Sequence, residues 1–174
     1  QTCALPISIV RVPVEDAAWA ERLLLQHKGK PVGLLFPQCC WQTRQWPVSY
    51  WIDLSWELWN RGIFSPVVID SSPELFKDCP CYVLSAPLDR LCALTARADF
   101  IVCNESMPGH LGCLMNKPTV ILSGPTKIEC FYNYTGMVGG GILLPKASNL
   151  PCTGCSFREP FHRPSCLHQC QSLM

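Results

Sequence analysis

Charge is what this chain has least of. Only 16% of its 174 residues are Asp, Glu, Lys or Arg, and they nearly cancel, leaving a net charge of +1. With no basic excess there is no electrostatic case for nucleic acid as the main partner. Long hydrophobic runs are missing as well. No uninterrupted apolar stretch reaches the ~20 residues of a bilayer-spanning helix, so none is expected. No secretory leader is visible, and the cytoplasm is the expected compartment.

Apolar residues and cysteine are plentiful. Hydrophobic residues make up 48%, high for a free-standing domain with so little charge, so part of the surface is expected to lie against a partner domain or a membrane face. The length suits one domain with a proper core and excludes two full ones. Of the 13 cysteines, Cys39, Cys40, Cys79, Cys81, Cys92, Cys103, Cys113 and Cys130 fall in or beside expected core elements without regular spacing. They read as small buried hydrophobes of a reducing compartment. Residues 1–8 (QTCALPIS) look like a translated sequencing adapter and are set outside fold reasoning, and the chain reads as a fragment cut at both ends.

The apolar pattern alternates between two periods. Helical spacing covers 17–26, and strands are expected over 32–36, 66–70, 82–84, 100–103 and 119–122. Between them, Pro47 opens a helix whose Val48, Trp51, Ile52, Ser55, Leu58 and Trp59 share one face and which stops at Gly62. A short helical turn covers 72–77. Pro87 opens a helix with Leu88, Leu91, Cys92 and Ala98 toward the core, and a further helix spans 109–116. Near-continuous apolar strands alternating with helices predict an α/β fold, a Rossmann-like parallel sheet with helices on both faces. In the order 3-2-1-4-5 the topology reverses between strands one and four. The loop over 38–46 and the turn over 104–110 then meet at one crevice.

That turn, Asn104-Glu105-Ser106-Met107-Pro108-Gly109-His110-Leu111, packs an acid, a hydroxyl, a glycine and a histidine between strand and helix. Backbone N–H groups and a helix dipole there favour an anion. Downstream come Lys117-Pro118-Thr119 and Gly124-Pro125-Thr126, and upstream Thr43-Arg44-Gln45-Trp46-Pro47.

In these residues the chain resembles the C-terminal half of glycosyltransferase family 9, the ADP-heptose:lipopolysaccharide heptosyltransferases and their relatives, from about Pro31 to Cys170. The family pattern of acid, Ser or Thr, Gly, two variable residues, His and Leu is matched from Glu105 to Leu111, with Met107 at the glycine, while Arg44 stands at the lysine of its Lys-x-Trp-Pro element. The resemblance implies a GT-B transferase of two Rossmann-like domains. The C-terminal one holds the nucleotide-sugar donor, and the N-terminal one, absent here, holds the acceptor and the general base. Transfer inverts the anomeric centre and needs no metal or other cofactor. It also implies cell-envelope polysaccharide or lipopolysaccharide synthesis, in the cytoplasm or peripheral to the inner membrane.

The domain organisation that follows is an adapter scar over 1–8, an inter-domain segment and helix over 9–30, the nucleotide-sugar-binding domain over 31–150, and a cysteine-rich segment over 151–174. Catalytic roles fall to Arg44, which neutralises the departing diphosphate, and to His110. The donor set is Gln38, Thr43, Arg44, Glu74, Leu88, Glu105, Ser106, Met107, Gly109 and His110. Within it Glu74, with Asp70 as its competitor, is placed for ribose hydroxyls, Leu88 helps wall the base pocket, and Ser106 donates to phosphate or caps its helix, two roles that can hold at once. In the tail, Cys152, Cys155, Cys166 and Cys170, with His162 and His168 nearby, have the spacing of a structural zinc site, with disulfides or plain packing as alternatives. Two other functions share the architecture: a non-catalytic Rossmann-like binding module with a zinc tail, and a sugar-nucleotide epimerase, which gives Gly124-Pro125-Thr126 and the terminal cysteines no reason to be there.

Overall fold

The computed structural model describes residues 10–27, 29–41, 44–124 and 142–143. Residues 1–8, Thr43, Pro125, Thr126, Cys130 and the whole cysteine-rich segment lie outside the described residues. The elements run α1 (Val14–Leu24), β1 (Val32–Phe36), α2 (Val48–Asn60), β2 (Ser65–Ile69), β3 (Tyr82–Leu84), α3 (Leu88–Arg97), β4 (Phe100–Asn104), α4 (Met107–Leu114), β5 (Thr119–Leu122) and β6 (Ile142–Leu143). Short 3₁₀ turns follow α1 (Leu25–His27) and β2 (Pro73–Phe76). All strand pairs are parallel, in the order β3-β2-β1-β4-β5-β6. The expected reversal between strands one and four is present, and β6 adds an edge strand that the sequence pattern did not announce.

The strands read as unbroken apolar runs because both faces of the sheet are covered. Their side chains still alternate with the two-residue period of a strand. Val32, Leu34 and Phe36 of β1, Val67 and Ile69 of β2, Ile101 and Cys103 of β4, and Ile121 of β5 join α1, α3 and α4 in one core cluster. Leu35, Val68 and Val102 point the other way, onto Trp51 of α2 and Phe76 of the 3₁₀ turn. Pro66 is tolerated because β3 begins pairing only at Val67, so its missing N–H faces no partner strand.

Three side chains depart from the expected core, and one of them is Cys40, which is exposed on the loop after β1. Leu88 is 56% exposed, because it lies one turn ahead of the stripe that begins at the partly buried Leu91 and continues through the buried Leu94 to Ala98. Trp59 is 47% exposed. Eight residues on from the buried Trp51, it has rotated about 80° away from the sheet at 100° per residue, and its ring lies under Lys30 Nζ at 5.7 Å.

Helix α1 is bound to this domain rather than standing off from it. Ala20 is fully buried, Trp19 stacks under Arg90 at 4.7 Å, and Arg97 of α3 pairs with Glu21 at 3.2 Å. Helix α4 lies close on the sheet at Gly112, where a methyl group would collide with the Thr119 hydroxyl and touch Ile101. That close approach sets where the amino end of α4 sits relative to β4.

Candidate functional site

The carboxyl ends of β1, β2, β3 and β4 open into a cavity of about 570 Å³. Its walls come from the loop after β1 (Gln38, Cys39, Cys40, Gln45), the end of β2 (Asp70, Ser71), the residues after β3 (Ser85, Ala86) and the start of α4 (Ser106, Met107, Pro108). This is the crevice expected at the topological switch point. Phe36, Ile69 and Leu91 supply its apolar lining.

The two expected loops do meet there, and side chains fasten them. Asn104, fully buried, donates through Nδ2 to the Pro37 carbonyl and accepts through Oδ1 from the Trp46 N–H at 3.1 Å. One side chain thus holds both ends of the loop between Pro37 and Trp46. Within that loop, Cys39 Sγ donates to the Glu105 carbonyl at 3.4 Å. Arg44 Nη1 lies 3.3 Å from Glu105 Oε1, a carboxylate only 3% exposed, and the guanidinium carbon sits 3.9 Å above the Trp41 ring. Stacking plus a carboxylate is a setting that guanidinium tolerates better than ammonium, being planar and weakly hydrated.

The turn after β4 offers fewer donors than the sequence suggested. Helix α4 begins at Met107, two residues earlier than expected, so Met107 and Pro108 occupy its first turn. Pro108 has no N–H, and that of Gly109 donates to the Ser106 carbonyl at 3.1 Å. Ser106 is extended at the N-cap position, and its side chain makes no capping bond to the helix. Of the two roles weighed for Ser106, helix capping is therefore not the one seen, whereas its place on the cavity wall is.

The expected donor set divides by position. Gln38, Ser106 and Met107 line the cavity; Arg44, Glu105, Gly109 and His110 do not. His110 is half-buried, and burial lowers its imidazole pKa, favouring the neutral ring. Glu74 is exposed on the 3₁₀ turn and does not reach the cavity. Asp70 does: 4% exposed, it accepts from Gln38 Nε2 at 2.8 Å and from the Ser72 N–H at 2.7 Å, and burial raises its carboxyl pKa. Leu88 is displaced likewise, with Ser85, Ala86 and Leu91 forming the wall in its place. Sequence reasoning gave Asn104 no role, although a polar residue ending an apolar strand ahead of an acid was the available signal.

Residues 10–153 match the family model for glycosyltransferase family 9 (heptosyltransferase). The chain belongs to glycosyltransferase family 9. A lipopolysaccharide heptosyltransferase 1 of Pseudomonas aeruginosa is 24% identical over 153 residues, covering 83% of this chain and 42% of the relative. The E. coli ADP-heptose lps heptosyltransferase II structure superposes with a TM-score of 0.62 at 18% identity, covering 76% of this chain and 44% of that one. E. coli heptosyltransferase WaaC with ADP-2-deoxy-2-fluoro heptose gives 0.56 at 18%, covering 74% and 41%. The chain thus spans less than half the length of these family 9 relatives. At such identities the structural likeness speaks for the fold, which is the Rossmann-like α/β fold of a GT-B glycosyltransferase domain. Lys117, in the Lys-Pro-Thr element, has a structural task here: its Nζ donates to the Ala98 carbonyl at the end of α3, at 2.8 Å.

Proposed function

We propose that this chain is the donor-binding half of a glycosyltransferase that uses a nucleoside-diphosphate sugar, ADP-heptose being the donor class named for its structural relatives. The observation that supports this most is the fastening of the Arg44 loop to the Glu105 turn at the switch point, within a chain matched to family 9 over 10–153. In this reading the diphosphate lies at the mouth of the crevice between Arg44 and the start of α4. Guanidinium carries five N–H donors, more than one carboxylate oxygen takes, so Arg44 can hold Glu105 and still meet phosphate oxygens.

The reaction is an inverting displacement. An acceptor hydroxyl attacks the anomeric carbon, the bond from that carbon to the diphosphate oxygen breaks, and the diphosphate leaves with the electron pair. A carboxylate of the other domain takes the hydroxyl proton. Arg44 offsets the charge growing on the leaving group, the task a cation fulfils when no metal does so. The acceptor belongs to cell-envelope polysaccharide or lipopolysaccharide synthesis, on the cytoplasmic side, and the cysteine-rich segment is a structural element, with zinc as its candidate ligand.

Titration calorimetry with ADP and ADP-heptose tests this. The expected result is weak binding without turnover, and a loss of roughly 10-fold or more in affinity for Arg44→Ala, from removal of a charge-assisted contact. Identical heats for Arg44→Ala and the parent, or no binding of either ligand, would sink the proposal.

A further inference from the structure

Helix α2 carries an apolar stripe that the core does not use up. Ile52, Trp56 and Trp59 share one flank of the helix, at helical spacing, and Ile63 follows just past its end. Ile52 is half-buried against the sheet, whereas Trp56, Trp59 and Ile63 are 43%, 47% and 55% exposed. Single exposed hydrophobes are ordinary, but two indoles one turn apart with an isoleucine beyond them form a patch. Lys30 Nζ stands over the Trp59 ring at 5.7 Å and beside Gly62, at the carboxyl end of the helix, where the dipole favours a cation. The carboxylates of α2 do not cancel its charge. Glu57 is paired with Arg61 at 2.7 Å, and Asp53 lies about 120° round the helix from Trp59 at 100° per residue.

A domain seated on the crevice would not cover this patch. The loop ahead of α2 lines the crevice through Gln45, and from there the 13 residues of the helix run away for about 20 Å, so Trp59 lies toward the amino ends of the strands. The patch is also too small to pair two copies stably, since three side chains expose far less than the ~800 Å² per partner that such interfaces bury. A lipid surface fits its size, chemistry and charge. Indole has an apolar body and one N–H, and it settles at the level of lipid headgroups. Isoleucine adds apolar depth, and lysine, on its long apolar stem, meets headgroup phosphate.

We propose that the Trp56, Trp59 and Ile63 end of α2 is a membrane-docking surface that lays this domain on an anionic bilayer, with Lys30 paired to lipid phosphate. The surface stands apart from the crevice and does not depend on what the crevice binds.

Co-sedimentation of the whole chain with phosphatidylglycerol vesicles and with phosphatidylcholine vesicles tests this. The parent is expected to partition onto both, more strongly onto phosphatidylglycerol. The double variant Trp56→Gln, Trp59→Gln is expected to lose roughly 10-fold or more on either surface, and Ile63→Ser to fall in the same direction. Lys30→Gln is expected to lose about five-fold on phosphatidylglycerol and to match the parent on phosphatidylcholine. Val14→Ser, which removes an 82% exposed side chain of α1 on the opposite face of the sheet, is expected to partition like the parent. All these side chains are exposed, so the variants should melt with the parent, and lost partitioning is then not unfolding. A parent that stays off phosphatidylglycerol, a double variant that sediments like the parent, or an equal loss in Val14→Ser would overturn the proposal. So would a parent that self-associates in analytical ultracentrifugation without binding vesicles while the double variant does not, which would give the stripe to a second copy instead.

Discussion

Asn104 concentrates more of the site's geometry in one side chain than any charged residue does. An amide has both a donor and an acceptor end, and here the two ends meet Pro37 and Trp46, the two limits of the loop after β1. Removing it leaves a buried carbonyl and a part-buried N–H without their bonds, the buried one costing about 1–3 kcal/mol and the other less. Asn104→Ala is therefore expected to lose about 2–4 kcal/mol of stability in urea denaturation and to weaken ADP binding by releasing the loop that carries Arg44. Asn104→Asp keeps the acceptor for Trp46 but loses the donor toward Pro37, and should fall between the two. At this scale the sequence was legible in type but not in place. Glu74 and Asp70 were both readable as acids after strand two, four residues apart. Only packing set one 4% exposed on the cavity floor and left the other exposed on a 3₁₀ turn.

Elements were legible where the chain carries its own stop signals. Gly62 ends α2 at φ +66°, a conformation that costs glycine nothing. Helix α4 ends on a signal that was less plain. Asn116 adopts φ +56°, its N–H donates to the Cys113 carbonyl at 3.2 Å, and the Lys117 N–H donates to the Gly112 carbonyl at 2.9 Å. This pair of bonds is the Schellman arrangement, with asparagine in the left-handed position usually held by glycine. Asn116→Ala is expected to cost about 1 kcal/mol, from the Cβ penalty of that conformation, whereas Asn116→Gly should fall within a few tenths of the parent; thermal melts of the two would decide. The start of α4 was harder to read. Without a side-chain cap at Ser106, the boundary is fixed by docking of the helix at Gly112 onto Thr119 and Ile101, not by a local signal.

At the scale of the whole molecule, burial of titratable groups couples stability to pH. His27, whose Nδ1 lies 2.6 Å from Ser65 Oγ, and His110 are both lowered from their ordinary value of 6.5 by burial. The unfolded chain therefore takes up protons first as pH falls, so their contribution is full above about pH 6.5 and is lost on acidification toward their folded values. Asp70 runs the other way: raised from 3.8, it favours the fold below that value and gives up this contribution as pH rises through its folded pKa. Melting temperature is expected to drop between pH 7.5 and 5.5, and the double variant His27→Gln, His110→Gln should flatten that drop. An unchanged slope in the double variant would assign the loss to other groups.

What the sequence determined by itself was periodicity and order. Apolar runs of strand length, alternating with helices, allow only a doubly covered parallel sheet, and right-handed crossovers then bring the loops after β1 and β4 together. Four short motifs in register named the family. Tertiary structure alone decided which candidate residues line the cavity. Packing put Leu88 and Glu74 out on the surface, Asp70 and Ala86 on the cavity wall, and Arg44 against Glu105 at the turn after β4. Burial and direction depend on what packs from residues distant in the chain, and no local run of sequence carries that information.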